Sequence, residues 1–456
     1  MTTPYKDTIA ALATAPGEGA IAIVRLSGPA SLVIADQIFR GKGVPPSQRV
    51  AQSFVHGTII SANGVADEVI LLIYRAPHSY TREDAVEIQG HGGSAAAKRI
   101  LRTVLEAGAR MAEPGEFTKR AFLSGRIDLL QAEAVLDLIR ARSDRAAEAA
   151  LEQMSGTLSK AFDQLYDQTL DLAANLETTL DFSDDELPES VMLDVITRRH
   201  HVETEFKRLL ASWDEGHLLR EGALVVISGK PNVGKSTLLN ALLGKERAIV
   251  TPIAGTTRDT IEEQMVINGF QVRIVDTAGL RKTPCKIEQE GVNRAINAIN
   301  HSDCNIYVVD GILGMDDEDK INIELLQDSK TIIAFNKCDS NEFLTNSTLA
   351  TNRSGLLISA KNNIGMEILK QTITNILGVK GSGPPHAVIS ERHRHLLVSA
   401  HKEVVEAGIL LTRPTPDPAL AASRLRGALE ALGEVTGRTY HTELLNNIFS
   451  RFCIGK

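Results

Sequence analysis

The chain has 456 residues, 43% apolar and 23% charged, the proportions of a soluble globular protein long enough for about three domains. Aromatic residues make up only 4%, which excludes a single-strand nucleic-acid binder built on rows of stacking rings and predicts aliphatic cores. With 49 basic and 57 acidic side chains the net charge is −8, which excludes a globally basic nucleic-acid coat but permits a local basic face.

The first 120 residues mix strand patterns at 21–26, 69–74 and 85–89 with a helix over Ser94–Glu106, an α+β domain. From 121 to 216 the pattern is helical. Leu158, Phe162, Leu165, Leu172, Leu176 and Leu180 form one stripe of period 3.6, residues 183–188 interrupt it, and Val191, Val195, Val202, Phe206 and Leu209 predict a second helix. The region around Gly216 reads as a weak linker. Between 217 and 378, short apolar runs at 223–228, 272–276, 305–310, 331–336 and 356–359 alternate with helical stretches, as in a parallel α/β sheet. Residues 378–385 (GVKGSGPP) form the clearest linker. Residues 379–456 are helical again, with Asp417 as N-cap, Pro418 in the first turn and Gly433 as a left-handed stop. The expected architecture is an α/β domain inserted into a discontinuous helical domain, behind an α+β domain.

Charge follows this division. Basic and acidic side chains number 13 and 11 in residues 1–120, 9 and 20 in 121–216, 17 and 19 in 217–378, and 10 and 7 in 379–456. The acidity therefore belongs to the first helical piece. Cys285, Cys304, Cys338 and Cys453 show no C-x-x-C spacing, so neither a zinc ribbon nor a disulfide framework is expected. Residues 1–7 do not read as a signal peptide, and no 18 apolar residues run together. A reducing, cytoplasmic setting without a membrane span is expected.

Gly229-Lys230-Pro231-Asn232-Val233-Gly234-Lys235-Ser236 matches G-x-x-x-x-G-K-[ST] between a strand and a helix. Asn232, Val233, Gly234, Lys235, Ser236 and Thr237 would cradle phosphates, Lys235 neutralising the β- and γ-phosphates and Ser236 ligating Mg²⁺. Asp276-Thr277-Ala278-Gly279 ends a second strand, its carboxylate reaching Mg²⁺ through water and its glycine N–H sensing the γ-phosphate. Asn336-Lys337-Cys338-Asp339 ends a third. There Asp339 can accept two hydrogen bonds from guanine's ring N–H and exocyclic amine, which adenine does not offer. Ser359-Ala360-Lys361 fits a loop whose backbone meets guanine O6. Four motifs in this order predict a Ras-like P-loop G domain that binds GTP; Cys338 reads as a filler in its loop.

Leu280 follows Gly279 where a water-orienting glutamine commonly stands. Asn232 can instead hold a monovalent cation near the phosphates. The segment 251–259 offers hydroxyls and backbone carbonyls to complete its shell, with Thr257 on Mg²⁺. Glu288 and Glu290 are both candidates to orient water, and spacing alone does not choose between them.

These motifs occur in a chain that resembles, over essentially its whole length, the MnmE (TrmE) family of tRNA uridine-modification GTPases. The resemblance rests on residues 7–10 (DTIA), 19–28 (GAIAIVRLSG), 87–93 (EIQGHGG), 117–123 (FTKRAFL), 128–134 (DLLQAEA) and the closing Cys453-Ile454-Gly455-Lys456. It implies an N-terminal domain over 1–120 that dimerises and binds 5-formyl- or methylene-tetrahydrofolate, contacted by Arg25, Glu87, Arg126 and Lys456. Arg126 stands where the family has lysine; it keeps the charge but not the geometry. Helical parts at 121–216 and 379–456 would flank a G domain at 217–378. The resemblance selects Glu288 as the catalytic glutamate and places K⁺ at Asn232, Thr251, Ile253 and Thr256, between G domains paired in the GTP state. Arg281 and the segment behind it would form a mobile switch. Cys453, which superficially suggests a prenylation box, becomes a functional thiol.

The implied activity is K⁺-stimulated GTP hydrolysis in a homodimer. With a partner carrying FAD and using NADH (MnmG, or GidA), it modifies C5 of the wobble uridine, position 34, of certain tRNAs with an aminomethyl or carboxymethylaminomethyl group. The one-carbon unit would come from folate and the amine from glycine or ammonium. The two weakly basic ends are the expected tRNA contacts. A ribosome-assembly GTPase and a nucleotide-switched scaffold share the four nucleotide motifs, although the sequence has neither a K-homology loop in context nor an aromatic-rich RNA-binding sheet.

Overall fold

Alternating burial along strands builds the first sheet. A computed structural model of the chain describes residues 5–180, 189–244, 262–276, 297–343, 355–378 and 389–456. The expected interruption at 183–188 and the linker beyond Gly378 lie outside these residues. Strands β1 (Ile9–Leu12), β2 (Ile21–Ser27), β3 (Phe39–Gly41), β4 (Ser53–Ser61), β5 (Gly64–Tyr74), β6 (Ala85–His91) and β7 (Arg110–Met111) order as β3-β4-β5-β6-β2-β1-β7. All neighbours are antiparallel except β1 and β7. Val24 and Leu26 of β2, Leu71 and Ile73 of β5, and Val86 and Ile88 of β6 are buried with Leu32, Ile34, Ile100 and Val104 of helices Ser31–Ile38 and Ser94–Glu106. Because side chains alternate across a strand, Arg25 and Glu87, paired in register, project from the face opposite these helices.

The second sheet has the order β13-β12-β11-β8-β10-β9, from β8 (Ala223–Gly229), β9 (Glu262–Ile267), β10 (Phe270–Asp276), β11 (Cys304–Asp310), β12 (Thr331–Asn336) and β13 (Leu356–Leu357). It is parallel except for β9, which pairs antiparallel with β10. The turn between them is Asn268-Gly269, with φ of 49° and 84°, the left-handed pair that a tight hairpin requires. Every residue of β11 is buried, as a central parallel strand covered on both faces demands. Val225, Ile227, Ile274, Ile306 and Ala334 share this core with Leu238 and Leu242 of the helix Lys235–Leu243 and Leu369 and Ile373 of Met366–Ile376. The last expected strand stops at Leu357 rather than Ser359. Ser359 instead exchanges two backbone hydrogen bonds with Ile364, 3.0 and 3.1 Å, closing a loop that needs Asn363 at φ 56° and Gly365 at φ 75°.

The chain divides into two units, Met1–Leu136 with Met154–Pro188 and Glu406–Lys456, and Asp137–Gln153 with Glu189–Val405. In the first, the helix Thr157–Leu180 buries Leu158, Phe162, Leu165, Leu172 and Leu176, the expected stripe, against the helix Pro418–Thr436. Asp417 caps the latter by accepting from the Leu420 N–H at 3.0 Å. The helix does not stop at Gly433. Gly433 lies inside it, and a Cβ there would come 2.9 Å from the Thr439 hydroxyl; the left-handed stop is Gly437, φ 78°. Leu445, Ile448 and Phe449 of Thr442–Ser450 pack with Phe122, Leu129 and Ala132. In the second unit, Glu189–Ala211 buries Val195, Val202, Phe206 and Leu209. Gly216 is not a linker but lies within the helix Trp213–Glu221, which ends at Gly222, φ 78°, directly before β8.

Candidate functional site

The carboxyl ends of parallel strands gather the nucleotide motifs, the usual ligand edge of an open α/β sheet. Residues 229–234 leave β8 with Gly229 at φ 130°, Asn232 at φ 65° and Gly234 at φ 99°, and Gly234 caps the helix Lys235–Leu243. Cβ atoms would come 2.4 Å from the Val308 carbonyl oxygen at Gly229 and 2.3 Å from Asn336 Nδ2 at Gly234. Only glycine lets this backbone curl so tightly at a helix N-terminus, the geometry that binds phosphate. Buried Lys235 donates to the Gly229 carbonyl at 2.9 Å and also to that of Lys230. Val233 is buried, whereas Asn232, Ser236 and Thr237 are exposed around the loop. Ser236, exposed in the first turn, carries a hard oxygen donor of the kind Mg²⁺ takes, and the backbone of Asp276 closes β10 beside β8 in parallel register.

Asn336 joins this loop to the base-reading loop. Its buried amide donates to the Val233 carbonyl at 2.9 Å, and its side-chain oxygen accepts from the Ala360 N–H at 3.0 Å. Lys337, at φ 68°, donates to Asp310. Asp339 is exposed, accepts from Asn362 Nδ2 at 3.0 Å, and is held below the usual carboxylate range by Ser359's hydrogen bond and Lys361's charge. Burial pushes the Cys338 thiol up, away from reactivity. Asn232 through Thr237, Asn336, Lys337, Asp339, Ser359, Ala360 and Lys361 thus meet along one edge. Thr251, Ile253, Thr256, Thr257, Thr277, Ala278, Gly279, Arg281, Glu288 and Glu290 lie outside the described residues. Sequence reading missed one partner of the loop: Lys230 pairs with Asp316, reaches Glu318 at 3.3 Å and Asp319 at 3.5 Å, and draws the Asp316 carboxyl down to about 2.

A second cavity, of ≈ 150 Å³, opens on the exposed face of the first sheet, lined by Arg25, Glu87, Tyr74, Tyr80, Phe117 and the hydroxyls of Ser27 and Thr81. Arg25 pairs with Glu87 at 2.8 Å, and its guanidinium lies 5.7 Å from the Phe117 ring and 5.9 Å from that of Tyr80. Arg126 stacks on the same Tyr80 ring at 4.7 Å. Behind the cavity, Ser27 donates to Glu83 at 2.6 Å, and Glu83 is held by the fully buried Arg120, which also binds Glu116 and Asp7 at 2.9 Å. Burial alone would raise the Glu116 pKa; hydrogen bonds from Arg110, the Glu113 N–H and Arg120 outweigh it and hold the group below its ordinary value. An ion pair beside flat rings and hydroxyls suits a flat, hydrogen-bonding ring.

Of the four residues assigned to folate, Arg25, Glu87 and Arg126 surround Tyr80. Lys456 reaches the cavity wall through its backbone, its carbonyl accepting from the Phe117 N–H at 3.2 Å. Ile454 bridges to Pro114, the Cys453 carbonyl accepts from the Gly115 N–H at 3.4 Å, and Cys453 itself is exposed. Gly455, at φ 97°, has no room for a Cβ, which would come 2.3 Å from the Leu12 carbonyl oxygen. Tyr80, Phe117 and Arg120 escaped sequence reading, although the Glu116/Arg120 spacing of four on a short helix marks an ion pair.

The family profile for the MnmE helical domain matches residues 129–453, and that for the GTP-binding protein TrmE N-terminus matches 8–126. The tRNA modification GTPase MnmE of Desulforamulus reducens is 41% identical over 459 residues, covering 99% of both chains. Its namesakes from Moorella thermoacetica and Alkaliphilus oremlandii are 43% and 39% identical, again across 99% of this chain and 99% of each relative. With two profiles spanning nearly its whole length and relatives of this identity, the chain belongs to the MnmE family of tRNA modification GTPases.

Proposed function

We propose that this protein hydrolyses GTP to drive modification of C5 of the wobble uridine of certain tRNAs. The observation that carries the reading is the Asn336 side chain, which ties Val233 of the phosphate loop to Ala360 of the guanine loop. A base and a phosphate chain held at this fixed separation describe a guanine nucleotide. Lys235 takes the β- and γ-phosphate charge, the 233–237 backbone binds phosphate oxygens, and Asp339 reads the guanine ring N–H and amine. Ser236 and Thr257 would hold Mg²⁺, which would supply charge neutralisation. Asn232, Thr251, Ile253 and Thr256 would hold K⁺, which would supply the positive charge of an arginine finger, and Glu288 would orient the attacking water.

In the first unit, Arg25, Glu87, Arg126 and Lys456 hold the tetrahydrofolate that supplies the one-carbon unit, and Cys453 serves the modification chemistry. A partner with FAD and NADH, homodimerisation, tRNA binding at the weakly basic ends and a cytoplasmic setting complete the reading. So does the division into 1–120, 121–216, 217–378 and 379–456. Mass spectrometry of tRNA nucleosides from a strain lacking the gene tests the central claim: the wobble modification disappears, and unchanged uridines would reject it. Hydrolysis is expected to fall when K⁺ is exchanged for Na⁺, and Glu288→Ala to slow turnover while nucleotide binding persists.

A further inference from the structure

The ≈ 150 Å³ chamber beside Arg25 is smaller than the few hundred Å³ that enclose a drug-sized ligand. It continues, through the shared residues Tyr74, Ser79 and Tyr80, into an outer groove of ≈ 470 Å³ that also takes in Gln52, His78, Arg82 and Arg126. Among the described residues lining the groove none is Asp or Glu, whereas the inner chamber holds Glu87. The two compartments therefore differ in chemistry: the inner one offers an ion pair and aromatic faces, the outer one two guanidiniums and no compensating anion.

The groove is also where backbone strain collects. Among described residues, only Gln52, Arg82 and Lys337 combine positive φ with a side chain that is neither glycine nor asparagine, at 57°, 60° and 68°. Lys337 belongs to the nucleotide site; the other two both line this groove. Residues held in the left-handed region at such a cost cluster where a ligand is met. Arg82 is fixed further. Its Nη1 donates to the Ser124 carbonyl at 3.0 Å and lies 3.7 Å from where a Cβ on Gly125 would stand, which brings its guanidinium against the loop carrying Arg126. Arg126 is in turn laid over Tyr80 at the mouth of the chamber.

We infer that the outer groove is a polycarboxylate subsite for the oligo-γ-glutamyl tail of the folate, with Arg82 and Arg126 reading successive carboxylates. The inference rests on the folate reading above and extends it. Because Tyr74, Ser79 and Tyr80 line both compartments, one extended ligand, flat and hydrogen-bonding at one end and multiply anionic at the other, can occupy the two together. A planar guanidinium fork matches a carboxylate in two hydrogen bonds.

The test is calorimetric titration of the full-length protein with 5-formyltetrahydrofolate and with its γ-linked triglutamate. The wild type binds the triglutamate about tenfold more tightly, and the gain shrinks as salt rises, as it does for partly exposed charge pairs. In Arg82→Gln the ratio of the two affinities, which a general loss of fold does not move, falls about threefold, leaving the share of Arg126; Arg82→Lys, which keeps the charge but not the fork, retains only part of the gain. Equal affinities in the wild type, with the monoglutamate still bound, overturn the tail subsite alone. No binding of either ligand overturns the folate reading and this inference with it. A ratio that survives Arg82→Gln while tRNA affinity drops makes the groove a phosphate surface and likewise rejects the proposal.

Discussion

The Phe117 N–H donates to the Lys456 carbonyl across 3.2 Å, and the ring of the same phenylalanine lies 5.7 Å from the Arg25 guanidinium. The tetrapeptide 453–456 is therefore anchored on the residue whose ring lines the cavity beside Arg25. What seats it is backbone shape, since Gly455 adopts φ 97° against the Leu12 carbonyl.

Gly455→Ala should lower the stability of the first unit by ~2 kcal/mol, because the added methyl meets backbone and the left-handed conformation penalises any Cβ. Urea unfolding reads the loss. On the proposed function, folate affinity falls in parallel while GTP affinity is retained; the reverse pattern would detach the tetrapeptide from the cavity.

Asn336→Ala leaves the Val233 carbonyl and the Ala360 N–H without their partner in a buried place. The expected cost is about 2–4 kcal/mol from two lost bonds and their desolvation. Nucleotide titration should show GTP and GDP weakened alike, since the side chain ties together two loops that both nucleotides would use.

Asp339→Asn exchanges an acceptor for a donor at the base. On the proposed function guanine keeps an acceptor for its ring N–H but meets a donor at its amine, whereas xanthine, with an oxygen where guanine has the amine, is matched at both. Competition binding should show preference moving from GTP to XTP; a variant still preferring GTP would place base recognition elsewhere.

Glu116 gives the first unit an acid limb. Its folded pKa lies below the ordinary 4.5, so the carboxylate adds stability above that pH and loses it as pH falls through the lower folded value. Glu116→Gln should be less stable at pH 7 by roughly 1–3 kcal/mol, through weakened bonds to Arg110 and Arg120, and flatter below pH 4.5. Urea midpoints across pH 3–7 compare the two slopes.

The nucleotide edge was legible because its chemistry is local: glycines, a lysine and carboxylates stand within a few residues of each strand end. Parallel strands read well for a related reason, as β11 and β12 are continuous apolar runs with no solvent face. The edge strand β9 was overlooked although Asn268-Gly269 announces its hairpin. β1, β3, β4 and β7 were also missed; three are four residues or fewer, and β4 carries Ser, His, Gly and Thr among its apolar residues. Gly433 and Gly437 are both plausible helix stops in sequence, and only the approach of Thr439 assigns them. Most of the Arg120 network was illegible for the same reason: Glu116 stands four residues away on the same helix, but Asp7 and Glu83 are brought to Arg120 by the fold, not by spacing.

The interleaving of the two units also sets the order of events during synthesis. Residues 406–456, which supply the partner of the helix Thr157–Leu180 and the tetrapeptide anchored on Phe117, emerge from the ribosome only after 189–405. Until then Leu158, Phe162 and Leu172 lack the helix that covers them. That helix thus waits with its apolar stripe uncovered on the nascent chain, while the sheet of residues 9–111 and the nucleotide sheet can already close.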